Sequence, residues 1–276
     1  MVSSEEDIAS RNMRQLLLEK REWEEVDGGD FGTGRLQVTD GMAMVTIDDI
    51  HIYEDDLDRR AQDVLGETVD DVIFLSRHKA ASAIPTLTVH PIGNWSEASF
   101  GGRDGMLVPA APHLMNGLLR KVSEYGSGLP FQISFEVTHH GPWLETPTVY
   151  IEIGSEESQW GHMGAAECLT DAILDVVEED NPVLIGIGGG HYGPRFTDIC
   201  LTRRADFGHM VPAHALDGAD EEAVRSMVRK AMDASGAEAA YMHRKSMKRS
   251  RASMISAVLE DMDIPLLRSD DLEPRG

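Results

Sequence analysis

Residues 131–142, FQISFEVTHHGP, alternate apolar and polar side chains until Gly141-Pro142 breaks the run. A period of two is the mark of a strand. It places Phe131, Ile133, Phe135, Val137 and His139 on one face, and Gln132, Ser134, Glu136, Thr138 and His140 on the other. Pro142 has no amide to donate, so the strand is expected to stop there with both histidines at its carboxyl end. Open α/β sheets bind ligands at that end of their strands. A carboxylate, a threonine and two imidazoles are costly to bury without a use, so the stretch is read as the centre of a site. Strict alternation points His139 away from Glu136 and His140. Unless the strand bends, His139 is the weakest member of the set.

The neighbouring apolar runs repeat this logic. TVYIEI (148–153) places Glu152 with Thr148 and Tyr150 on a polar face, next to a Gly154-Ser155 turn and an expected helix start. LTVH (87–90) ends on His90, and VLIGI (183–187) runs into three glycines and His191. Further strand candidates are 43–47, 72–76 and 198–203. Helices are expected over 5–22, 56–65, 112–125, 158–179, 219–234 and 246–260. In 158–179, Trp160, Met163, Ala166, Leu169, Ile173 and Val177 form one stripe at helical spacing. Strands alternating with helices predict an α/β fold, a mixed and partly parallel sheet sandwiched by helices, as a single domain over 1–276.

The chain has 276 residues, with 48 acidic against 25 basic side chains and a formal net charge of −23. Such self-repulsion costs stability unless salt screens it, which points to a halophile's cytoplasm. No apolar run approaches the roughly 18 residues of a membrane span. The opening MVSSEEDIAS lacks the basic start and apolar core of a signal peptide, so a cytoplasmic protein is expected. Cys168 and Cys200 are the only cysteines and form no CxxC pair. Any metal must therefore be held by nitrogen and oxygen.

Other motifs narrow the chemistry. GIGGGHYG approaches the dinucleotide fingerprint GxGxxG, but His191 occupies the last position and Pro194-Arg195 argue against an immediate long helix, so that reading is set aside. Gly188, Gly189 and Gly190 would instead let the backbone approach a ligand or offer amides to an oxyanion. His209 and His214 are five apart without an HExxH motif, so no zinc-protease helix is present. His51, His78, His113 and His162 read as surface or packing residues. HRKSMKRSR (243–251) is the one concentrated basic run, suited either to nucleic-acid phosphates or to a solvated helix start.

Taken in order, TVHPIGNW (88–95), EVTHHGP (136–142), EIGSEESQW (152–160), GIGGGHYGPRFTD (186–198) and GHMVPAHA (208–215) resemble the archaeal and plant D-aminoacyl-tRNA deacylase family over nearly the whole chain. The resemblance implies a fold related to peptidyl-tRNA hydrolase and nucleoside phosphorylase. It also implies zinc dependence and release of a free D-amino acid from the 3′ acceptor end of tRNA. Relatives of this kind open on an apolar strand, so MVSSEED is expected to carry a shortened one. On this reading Glu136, His140, Glu152 and His191 are the catalytic candidates. His90, His139, His140, Glu152, His191 and His209 are the metal-ligand candidates. Asn94, Gly188, Gly189, Gly190, Arg195, Arg244 and Lys245 are the substrate-binding candidates. Two other readings use the same residues: a metal-dependent hydrolase of small esters or amides, and a non-catalytic nucleotide- or tRNA-binding module.

Overall fold

A computed structural model describes residues 1–275. In chain order the elements are β1 (Val2–Ser4), α1 (Ile8–Lys20), β2 (Glu24–Val26), β3 (Leu36–Thr39), β4 (Met42–Ile47), α2 (Leu57–Leu65), β5 (Val72–Arg77), β6 (Thr86–His90) and α3 (Pro112–Tyr125). There follow β7 (Gln132–Phe135), β8 (Thr148–Gly154), α4 (Glu157–Trp160), α5 (Met163–Leu174), β9 (Val183–Ile187), α6 (Pro194–Thr202), β10 (Asp206–Val211), α7 (Ala213–Leu216), α8 (Glu221–Ser235), β11 (Ala239–Met242), α9 (Arg249–Asp261) and β12 (Leu266–Leu267). The eight-stranded sheet runs β2-β3-β4-β1-β5-β8-β6-β7, and a four-stranded, all-parallel sheet runs β10-β9-β11-β12. The mixed α/β class expected from the sequence is the one observed.

Local chemistry accounts for the element ends. Asp7 caps α1 by accepting from the amides of Ala9 and Ser10 at 2.9 and 3.1 Å. Asp220 caps α8, which ends at Gly236 with φ +58°. Proline opens α3 and α6, where a missing N–H costs nothing.

Several sequence expectations are corrected. Residues 198–203 belong mainly to α6 rather than a strand, because Pro194 starts a helix instead of preventing one. The helix expected over 158–179 is divided into α4 and α5 and ends at Leu174. By contrast, the MVSSEED opening holds a short strand as expected: the three residues Val2–Ser4 lie between β4 and β5 inside the large sheet.

The strand read across 131–140 ends at Phe135. Beyond it the chain leaves the pleat and joins the second sheet. The Val137 amide donates to the His191 carbonyl at 3.0 Å, and the Thr138 amide to the Met210 carbonyl at 3.1 Å. Alternation therefore stops before the two histidines are reached.

The central strands have two unlike faces. Val149, Ile151 and Ile153 of β8, with Leu75, Leu87 and Val89 of its neighbours, pack into the main core beneath α1, α3 and α5. The opposite face carries Tyr150 and Glu152 of β8, in register with Phe74 and Ser76 of β5 and with His90 and Thr88 of β6. That second face is buried as well, and it holds the site.

Candidate active site

Glu152 sits mid-sheet and is almost wholly buried. Its Oε2 lies 3.4 Å from His90 Nε2 and 3.5 Å from His78 Nδ1. Glu136, fully buried at the end of β7, places its Oε2 3.4 Å from His78 Nδ1, 3.3 Å from His139 Nε2 and 2.9 Å from His191 Nε2. The rings pack on one another, His90 on His139 at 4.1 Å and His78 on His191 at 5.0 Å between centroids. His191 is the most open member, with 42% of its side chain exposed, and marks the mouth.

Many of these buried atoms lack a hydrogen-bond partner. They include both Glu136 oxygens, Glu152 Oε2, His90 Nε2, His139 Nε2, His140 Nδ1, Tyr150 Oη and the hydroxyls of Thr86 and Thr88. Folded proteins rarely leave so many polar atoms unsatisfied in one place. The neighbouring backbone groups already orient two rings, since His90 Nδ1 meets the Pro91 carbonyl at 3.2 Å and His139 Nδ1 the Val137 carbonyl at 2.7 Å. That leaves each Nε2 free to face inward, the arrangement in which a metal-binding imidazole is oriented by its other nitrogen.

Among the described residues, two triads have ligand atoms close enough to hold one cation each, His78–Glu136–His191 and His90–Glu136–His139. Tetrahedral zinc with bonds near 2.0–2.1 Å needs ligand atoms about 3.3 Å apart. The observed separations from Glu136 Oε2 scatter about that value.

The electrostatics favour positive charge between the carboxylates. Burial pulls His78 and His90 down, but the close approach of Glu152 and the charges of Glu136 and Glu152 outweigh it and raise both imidazoles above their ordinary value. Burial raises Glu152, yet His78 and His90 override it and hold that carboxyl well below its ordinary value. His139 is driven down by burial and then by the neighbouring His90, His140 and His191. His140 is lowered to about 4, by burial and then by His90.

The D-aminoacyl-tRNA deacylase family model matches residues 65–267, a span containing every member of this cluster. A D-aminoacyl-tRNA deacylase of Methanosarcina mazei is 36% identical over 99% of this chain and 92% of its own length. The chain belongs to the D-aminoacyl-tRNA deacylase family. A family member from Thermoplasma volcanium is 31% identical over 97% of this chain and 98% of its own. A crystal structure of a conserved protein of unknown function superposes with a TM-score of 0.88 at 30% identity, covering 99% of this chain and 96% of that one.

With the family established, the residues expected from the sequence divide into two groups. His90, Glu136, His139, Glu152 and His191 converge. His139 belongs to the centre, against its expected orientation, because the chain bends after Phe135 and brings positions 136 and 139 to one side. His140 takes the outer place instead. Its ring lies 4.5 Å from that of His139 and 5.9 Å from exposed Phe100, and it joins neither cation-sized triad.

His209 is not in the cluster. It is fully buried on β10 with both ring nitrogens engaged, Nε2 at 2.9 Å from the Val108 carbonyl and Nδ1 at 3.0 Å from Thr138 Oγ1. Asn94 faces the protein, donating to the Gly101 carbonyl at 3.0 Å and tethering that loop. The Gly188 and Gly189 amides donate to the Val211 carbonyl and to Ser246 Oγ, both at 2.8 Å. Of the three glycines, Gly190 alone has an amide without a partner among the described residues. Arg195, Arg244 and Lys245 line a separate cleft behind the glycine loop.

His78, which reads in the sequence as a surface or packing residue, is a full member of the cluster. The available signal was its position directly after VIFLSR, at the carboxyl end of a parallel strand, the criterion that selected His90 and His191. Tyr192, whose hydroxyl lies 3.3 Å from His78 Nε2, was also missed. His113 and His162 are structural as expected: His113 pairs with Asp206 at 2.8 Å, and His162 caps α5.

Proposed function

We propose that the Glu136–Glu152–histidine cluster hydrolyses the ester of D-aminoacyl-tRNA, releasing a free D-amino acid and tRNA, in the cytoplasm of a salt-adapted cell. Family membership supplies the substrate class, and the unsatisfied buried donor set around Glu136 is the observation that carries the chemistry. The donor set fits zinc, with His78, His191, His90, His139 and Glu136 as the residues that would hold it. Bound there, zinc would act as a Lewis acid and bring the pKa of water toward neutrality.

The remaining work falls to the chain itself. Glu152, kept as a carboxylate by His78 and His90, accepts the proton of the attacking water. Water adds to the ester carbonyl carbon, and the Gly190 amide donates to the oxygen that becomes negative. The bond to the terminal ribose oxygen then breaks, and that oxygen takes back a proton. His140 stands at the rim as a neutral imidazole, able to accept a hydrogen bond from the substrate's amine. Tyr192 steadies His78, and His191 closes the mouth.

The formal net charge of −23 supports the salt-adapted reading, since concentrated ions screen such repulsion. Incubating the protein with matched D- and L-tyrosyl-tRNA tests the function. Release of D-tyrosine with L-tyrosyl-tRNA spared is expected, and binding without turnover would return the protein to a non-catalytic module.

A further inference from the structure

The basic run at 243–251 does not act as one surface. Arg251 turns inward to the Ala219 carbonyl, whereas Arg244 and Lys245 line a cleft of about 510 Å³ with Arg195, His243 and Arg268. Three segments far apart in sequence supply the cations Arg195, Arg244, Lys245 and Arg268: the start of α6, the turn after β11 and the end of β12. The concentration is out of keeping with a strongly acidic chain. Asp198 pairs with Arg195 at 2.6 Å, but no carboxylate among the described residues lies within ion-pair distance of Arg244, Lys245 or Arg268.

The wall of the cleft is built. Arg195 Nε donates to the Tyr241 hydroxyl at 2.9 Å, and its other nitrogens are held by Asp198 and Ser269. His243 is lowered by burial and then by the nearby Arg195 and Lys245, which reports a positive interior that an anion would relieve.

The cleft also adjoins the catalytic cluster. Ser246, in the turn that carries Arg244 and Lys245, accepts from the Gly189 amide at 2.8 Å. A Cβ built on Gly188 would meet Ser246 Oγ at 2.6 Å. The glycine loop thus packs against the turn that supplies Arg244 and Lys245 to the cleft, and it leads directly to His191. One residue, Gly190, separates Gly189 from His191, so the two Cα–Cα steps between them span at most about 7 Å. In an aminoacylated RNA, one ribose separates the ester from the 5′-phosphate of the same nucleotide, a distance of similar order.

We propose that the cleft formed by Arg195, His243, Arg244, Lys245 and Arg268 binds the 5′-phosphate of the terminal nucleotide, setting the ester against Glu136 across the glycine loop. This rests on the deacylase reading. The cations read charge and not base, so the subsite anchors any acceptor end and leaves discrimination to the far side of the loop.

The test is steady-state deacylation of D-tyrosyl-tRNA across a salt series, using wild type, the K245A/R268A pair and the charge-keeping K245R/R268K pair. The K245A/R268A pair is expected to raise KM about tenfold with little change in kcat, and to flatten the dependence of log(kcat/KM) on log salt by about 0.7 for the one phosphate no longer neutralised. The charge-keeping pair should restore both quantities. A substrate with a neutral methylphosphonate at its last linkage should lose affinity for wild type and not for K245A/R268A. Unchanged KM and salt slope in K245A/R268A, with wild type active, would overturn the phosphate subsite alone. A failure of K245R/R268K to restore them would overturn it too, by making shape rather than charge the cause. Wild type that turns over no D-tyrosyl-tRNA would overturn the deacylase reading and this inference with it.

Discussion

Glu136 Oε2 lies 2.9 Å from His191 Nε2, although the two residues leave different sheets, Glu136 following β7 and His191 following β9. The candidate site is therefore a seam. Backbone bonds from Val137 to His191 and from Thr138 to Met210 tie the sheets together at the point where the ligand atoms meet. Loosening that seam should injure the site before it injures the fold.

Gly188→Ala tests the seam from the glycine side. Gly188 has φ +95°, and its new Cβ would sit 2.6 Å from Ser246 Oγ and 2.7 Å from the Met247 methyl. The left-handed backbone alone costs alanine about 1–2 kcal/mol. The variant should unfold at lower denaturant concentration and deacylate more slowly. Wild-type values for both would show that the loop tolerates a side chain.

His78→Ala should weaken zinc binding at least about tenfold, measured by competition with a chromophoric chelator. His78 Nδ1 faces Glu136 and Glu152 at 3.4 and 3.5 Å, and its removal leaves two buried carboxylates facing each other. Undiminished zinc affinity would remove His78 from the ligand set.

His209 predicts a pH dependence of stability. Burial lowers it from 6.5 to about 4, so the unfolded chain binds its proton first as the solution is acidified. Its contribution is complete above pH 6.5 and is lost as pH falls through about 4, some 3 kcal/mol in all at ~1.4 kcal/mol per unit. His209→Gln should be less stable at pH 7 and should lose correspondingly less between those pH values. Denaturant melts over pH 4–7 that run parallel for the two proteins would contradict this.

The acidic surface predicts a salt requirement. The screening length falls from about 10 Å in 0.1 M salt to about 3 Å at 1 M. The melting temperature should rise steadily as KCl is increased into the molar range. A flat response would mean that the acidic surface has some other cause.

Much of this organisation was legible in the sequence, and the exceptions have physical causes. Residues 148–153 and 183–187 read correctly as strands, because buried strands write their period or their apolarity directly. Glu136 and Glu152 do approach the same ring, His78, but from strands separated by β6 rather than from neighbouring ones. The bend after Phe135 was not legible. It depends on backbone bonds to the second sheet, which the alternation in FQISFEVTHH does not record, so His139 and His140 exchanged roles. His209 resembled a ligand because the letter does not show that Thr138 and the Val108 carbonyl occupy both of its nitrogens. Arg268 entered the basic cleft from β12, outside the charged run that drew attention in the sequence.

The most direct measurement is single-turnover hydrolysis of D-tyrosyl-tRNA by wild type and by Glu136→Gln under identical conditions. Glu136 is the residue common to both cation-sized triads. Its amide isostere keeps the shape and removes the charge, so the rate constant should fall at least about 10²-fold. A variant as fast as wild type would contradict the assignment of this cluster as the catalytic centre.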